Sequence, residues 1–147
     1  MNALASLLKD SKHAGVYRVH GAAGVKEIEK QAKAAGMAFF QLEGRKISKK
    51  EQFLNHASLA MHFPEHFGNN WDAFEDCLTD LSWVDEEGYV IFYDHFGPFA
   101  EHAPSQFETA LEVFKSAVES WREQNKPMFV LLGGESSAEL DVKTLKL

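Results

Sequence analysis

Apolar positions along the chain fall into four short runs, residues 16–20, 38–42, 89–93 and 128–132. Each is bounded by Gly, Pro or polar residues, as strands usually are. The last two runs are apolar on both alternating sets. A strand with no polar face is covered on both sides, which predicts a parallel sheet with helices packed against it. Elsewhere the period changes. Phe107, Leu111, Phe114, Val118 and Trp121 keep the three- and four-residue steps of one helical face, so a long helix is predicted over about 105–125, ahead of the final strand. Residues 25–35 read as another helix. Ser48-Lys49-Lys50-Glu51 and Ser105-Gln106-Phe107-Glu108 fit the capping box, in which Ser accepts from a backbone N–H and Glu reaches back. Strands alternating with helices predict an α/β domain with right-handed crossovers. Beyond Gly133-Gly134, residues 135–147 read as a polar tail, with a short closing element as the alternative.

One further segment combines two patterns. Pro64 and Gly68 break the helix before them, and Asn69 or Asn70 caps a new one, because a short amide side chain satisfies N–H groups left open in a first turn. Asp72 in that turn interacts favourably with the helix dipole. At about 100° per residue, Trp71, Phe74, Leu78 and Leu81 share one stripe, and Asp72, Asp76 and Asp80 share a different, largely opposite one. Like charges four residues apart cost a helix a few tenths of a kcal/mol per pair. Helix stability therefore does not account for three aspartates in a row. Either the face is simply solvated, or it is a row of fixed acceptors for the Arg, Lys or His of a partner, to which charge-assisted bonds are the strong class.

Charge favours a partner. The 147 residues carry 22 acidic and 15 basic side chains, a formal net charge of -7. Between Glu51 and Phe114 there are thirteen Asp and Glu and no Lys or Arg. Such a field speeds encounter with a cationic partner and repels nucleic acid and anionic membrane. Nucleic-acid binding draws its affinity from Lys and Arg on phosphates, so it is excluded as the main function. At 45% apolar and 12% aromatic content the length suits one domain with a real core. The lone Cys77 forms no intrachain disulfide, residues 1–10 are too short and polar for a signal peptide, and no run nears the ~20 apolar residues of a membrane span. A cytoplasmic protein is expected.

Catalytic patterns are weak. His62 and His66 have a spacing that suits a metal, but the intervening Phe63-Pro64 disrupts a helical i, i+4 pair and no Cys-rich or HExxH pattern accompanies them. No metal, no cofactor and no enzymatic activity are expected, and a small metal-assisted hydrolase using the histidines is the alternative from that class. Asp72 and Asp76 lie near each other but do not face across a cleft as a glycosidase pair must. Gly133-Gly134 lacks the other glycines of a dinucleotide fingerprint. Acids beside Cys77 raise its pKa rather than activate it, so a packed thiol is expected. His66 is expected to be a loop contact residue, either one that changes charge near neutral pH or a partly packed neutral imidazole.

The run Phe-Pro-Glu-His-Phe-Gly-Asn-Asn-Trp-Asp-Ala-Phe-Glu-Asp-Cys-Leu-Thr-Asp-Leu, residues 63–81, resembles the signature of the barstar family, intracellular inhibitors of secreted cationic ribonucleases. Pro64, Gly68, Asn70, Asp72, Ala73, Asp76, Cys77, Leu78 and Thr79 carry the likeness, which extends loosely over residues 37–134. The resemblance implies a barstar-like α/β fold, a small, mainly parallel sheet packed with helices. Residues 1–36 are then an added helix-strand-helix that supplies an edge strand, residues 37–134 the barstar-like domain, and 135–147 a C-terminal tail. It further implies an immunity protein whose second helix and preceding loop plug a ribonuclease active site. Asp76 carries over as the mimic of substrate phosphate and Asp72 as its neighbour, with Asn70, His66 and Asp80 as framing contacts. Three positions depart from the family pattern: His66 stands for the loop tyrosine, Asp80-Leu81 for Gly-Trp, and Ser116 for a peripheral glutamate. They leave an alternative, an acidic binding module for a different basic protein or toxin. Electrostatic steering is itself usually illustrated by this family's archetypal complex.

Overall fold

In the computed structural model, which describes residues 3–20, 24–65 and 67–147, five strands form one parallel sheet. In chain order the elements are α1 (Ala3–Leu8), β1 (Gly15–His20), α2 (Val25–Ala34), β2 (Ala38–Glu43), α3 (Lys50–Ala60), α4 (Trp71–Asp80), β3 (Tyr89–Asp94), α5 (Gly97–His102), α6 (Pro104–Glu123), β4 (Met128–Leu132) and β5 (Lys143–Lys146). The sheet order is β2-β3-β4-β1-β5, with every neighbouring pair parallel. The four apolar runs are β1 to β4. β4 is buried throughout and β3 at all but its last residue, as expected of strands covered on both faces.

Crossovers place the helices. From β1 the chain crosses through α2 to β2 at the far edge, then returns stepwise through β3 to β4. Because parallel crossovers are right-handed, the reversal of direction puts α2 on one face of the sheet and α3 to α6 on the other. On that second face Tyr93 meets Phe53 at 5.7 Å and Phe107 at 6.4 Å, and Tyr89 meets Trp121 at 4.8 Å. Phe53 also contacts Phe74, Phe99 and Phe114. This aromatic layer is the floor on which α4 rests.

The structure corrects several local expectations. Strand β1 is not at an edge, because β5 pairs with its outer side from Tyr17 to His20. The segment between β4 and β5 is strapped down by Arg18, whose guanidinium donates to the carbonyls of Ser136 (2.6 Å) and Ala138 (2.9 Å) and lies over the Phe96 ring. Neither serine capping box forms. At α3, Lys49 occupies the N-cap position and the Gln52 amide oxygen accepts from the backbone N–H groups of Ser48 and Lys49 and from the Ser48 hydroxyl. Helix α6 starts one residue early, at Pro104, with Ala103 before it and no side-chain cap. Proline lacks the N–H that needs capping and has its φ preset for a first turn, so it displaces serine from the role. Helix α3 ends before Pro64, where His62 takes a φ of 57° and the Trp83 indole donates to the Met61 carbonyl at 2.9 Å. No described helix is long and apolar enough to cross a membrane.

Candidate functional site: the acidic face of helix α4

The local sequence sets α4 in three steps. Phe63 and Phe67 pack edge to face at 5.1 Å. Asn69 turns the backbone with a φ of 52°. Asn70 is the N-cap. Its Oδ1 accepts from the Ala73 N–H at 2.7 Å and its Nδ2 donates to the Gly68 carbonyl at 3.4 Å. The amide is thereby spent on holding the loop against the helix, as a capping side chain does. At the other end Leu81, with a φ of 45° and its side chain buried, closes the helix through its N–H to the Cys77 carbonyl.

Two faces of α4 are tied down and one is not. Phe74 and Leu78 are fully buried in the aromatic layer. Three hydrogen bonds then bolt the helix to α6 and its surroundings: Trp71 Nε1 donates to Gln106 Oε1 at 2.8 Å, the Ser116 hydroxyl to Glu75 Oε2 at 3.1 Å, and Trp121 Nε1 to the Leu78 carbonyl at 2.9 Å. Positions 71, 75 and 78 are one helical turn apart. Positions 72, 76 and 80 are left over. Asp72, Asp76 and Asp80 are all exposed. Among the described residues the carboxylates of Asp72 and Asp76 take part in no hydrogen bond or ion pair, and Asp80 accepts only from the Ser82 hydroxyl at 3.3 Å. Rows at i, i+4 stand about 5–6 Å apart at Cβ, so the face is a ladder of bare anions on a rigid support.

The electrostatic footprint extends beneath the row. Partial burial, then the charges of Asp80 and Asp76, push the Cys77 thiol up from its ordinary range, as expected of a packed thiol. Burial and then Asp80 do the same to the Tyr89 phenol. Of the residues singled out in the sequence, Asp72, Asp76 and Asp80 come together on this face, and Asn70 sits at its start with its amide turned inward. His66 lies outside the described residues. Sequence reasoning did not single out Glu75, Gln106 or Trp71 as the fasteners of the helix, although a polar residue four positions after a half-buried Trp is a signal for a second contact line. Nor did it find Glu43, Asp94 and His95, which gather at the carboxyl ends of β2 and β3.

Comparison with known proteins places this geometry in context. The family profile described as Barstar (barnase inhibitor) matches residues 37–133. No curated protein matches the chain. Among solved structures, one of the Aeropyrum pernix ORC2 protein in ADPNP-ADP complexes is similar, with a TM-score of 0.55 at 17% identity, covering 84% of this chain and 35% of that one. A likeness at that identity concerns the arrangement of sheet and helices. The present chain spans about a third of that protein's length.

Proposed function

Because the chain belongs to the barstar family, we propose that it is a barstar-like inhibitor, an immunity protein that binds a cationic ribonuclease and occludes its active site with the α4 face. The observation that carries this reading is the row Asp72, Asp76 and Asp80, exposed on a helix whose other sides are held by the core and by α6. In this reading Asp76 takes the place of a substrate phosphate against the nuclease's catalytic basic groups, with Asp72 beside it. Asn70, His66 and Asp80 frame the contact. The protein itself performs no chemistry and needs no cofactor, and its place of action is the cytoplasm. The inhibitory unit is residues 37–134, with 1–36 as an N-terminal extension and 135–147 as a C-terminal tail.

The energetics fit a fixed anion. An interface gains affinity when the binding groups do not have to be ordered on association, and a helix bolted at three points presents its carboxylates already ordered. A few desolvated contacts at the centre supply most of the affinity, while the other acids of the window set the rate of encounter. Titrating the protein into a panel of cationic ribonucleases, with residual RNA cleavage as the readout, is expected to give stoichiometric inhibition of at least one. No inhibition and no complex with any of them would end the nuclease claim.

A second reading rests on Ser116. Its hydroxyl donates to Glu75 at the position where the family carries a peripheral glutamate, so the rim of this face differs from the archetype. The same surface then serves a different basic protein or toxin. A tight complex that leaves RNA cleavage intact would favour this second reading.

A further inference from the structure

Away from α4, three ligand-bearing side chains converge at the carboxyl ends of neighbouring strands. Glu43 ends β2 and Asp94 ends β3, and the two stand opposite each other in the parallel register. His95 follows directly. One ligand atom from each of the three lies within 4.8 Å of the others, and all three residues are half-buried. Packing holds the backbone that presents them. A Cβ on Gly44 would meet the carbonyl oxygens of Asp94 and His95 at 2.1 and 2.2 Å, and Gly134, at a φ of 92°, lies against the His95 backbone. His95 is itself turned by a φ of 51°.

The ring is placed as a ligand is. Its Nδ1 is buried and lies 3.0 Å from Asp94 Oδ1, yet it makes no aligned hydrogen bond. Its Nε2 accepts from Arg45 Nε at 3.3 Å. Two carboxylates and the imidazole thus gather within 4.8 Å of one another, with the exposed Arg45 guanidinium beside them. Clusters of oxygen alone suit magnesium or calcium, whereas an imidazole shifts preference towards zinc and its first-row neighbours.

We propose that Glu43, Asp94 and His95 form a binding site for one divalent transition-metal ion. Nδ1 is the nitrogen ligand. Three protein ligands leave positions open for water or for a group of a bound molecule. Arg45 is the competing cation, because ligation through Nδ1 puts the ring proton on Nε2 and the guanidinium has to turn away. The site is separate from the α4 face, and its test does not depend on the inhibitor reading.

Isothermal titration of the full, tag-free chain with Zn2+ alone, and with Mn2+ as a second probe, is expected to show one ion per chain. Glu43→Gln and His95→Asn should each weaken Zn2+ at least tenfold, and Arg45→Ala should tighten it several-fold. Asn tolerates the positive φ of His95, so that variant keeps the turn. Zn2+ should raise the thermal midpoint of the wild type and not of Glu43→Gln. Absence of stoichiometric binding of either ion overturns the proposal. So does undiminished binding in Glu43→Gln, which alters one oxygen at a strand end and leaves the glycine packing alone, and so does weaker binding in Arg45→Ala.

Discussion

The molecule holds two groups of carboxylates that differ in shape more than in charge. On α4 the aspartates stand along a line, and among the described residues Asp72 and Asp76 have no partner and Asp80 only the Ser82 hydroxyl. At the ends of β2 and β3 two carboxylates and an imidazole gather within 4.8 Å of one another, with an arginine at hand. The difference comes from the two periodicities of the backbone. A helix spaces its i, i+4 side chains as parallel rungs, and parallel strands bring the last residues of neighbouring chains face to face. A ladder of anions matches a spread cationic surface such as another protein presents. A convergent set matches a single small cation. Net charge alone, -7 over the whole chain, distinguishes neither.

The most damaging way to break the contrast is to remove the floor of the ladder. Phe74, fully buried against Phe53, Phe63, Trp71 and Phe114, is expected to cost about 3–5 kcal/mol of stability when truncated to Ala, measured by urea unfolding. A smaller loss would mean that α4 is held mainly by its hydrogen bonds to α6.

Next in size is Asp76→Ala, expected to weaken the complex with the cognate basic protein by about 2 kcal/mol or more while leaving stability within about 0.5 kcal/mol. It should not alter Zn2+ binding. Conversely, Glu43→Gln should leave the complex intact. A binding loss below about 1 kcal/mol for Asp76→Ala would remove it from the centre of the interface.

Alkaline pH tests the floor without mutation. Burial raises the phenols of Tyr93, most strongly, and of Tyr89 and Tyr17 above their ordinary value of 10.0. The folded state therefore holds these protons longer than the unfolded chain does. Their contribution to stability is fully present below pH 10 and is lost as pH rises through the folded values, at up to about 1.4 kcal/mol per pH unit for each proton. Urea midpoints should fall above pH 10, and Tyr93→Phe should flatten that fall. An unchanged slope in Tyr93→Phe would show that the ring is not the group responsible.

The smallest effect expected concerns Cys77, whose thiol is raised first by burial and then by Asp80 and Asp76. Alkylation at pH 8 should be slower than for a free thiol, and Asp80→Asn should speed it a few-fold through a larger thiolate fraction. No change in rate would leave burial and Asp76 as the causes.

Much of this was legible in the chain, for identifiable reasons. β3 and β4 announce themselves because a strand covered on both faces has no polar positions to confuse the period. The ladder is legible because residues 72, 76 and 80 belong to one helix whose geometry is local. The helix starts were misread because Gln52 and Pro104 satisfy or remove the open N–H groups that Ser48 and Ser105 were expected to serve. β5 was foreseen only as the alternative of a short closing element, because Lys143–Lys146 is a polar edge strand whose pairing with β1 depends on a neighbour more than a hundred residues away. The convergent cluster escaped for the same reason. Glu43 and Asp94 are about fifty positions apart and meet only once the β2–β3 register is known.

That edge strand also bears on how the protein behaves in a crowded solution. Without β5 the outer rim of β1 would present unpaired amides and carbonyls beside Tyr17 and Val19, an open template for another chain to add to. With β5 in place the outermost strand carries exposed Lys143 and Lys146, and lysines at a rim discourage a second copy from docking there. Four residues of low hydrophobicity thus act as a guard against fibre-like stacking, a service independent of whatever cation either carboxylate group receives.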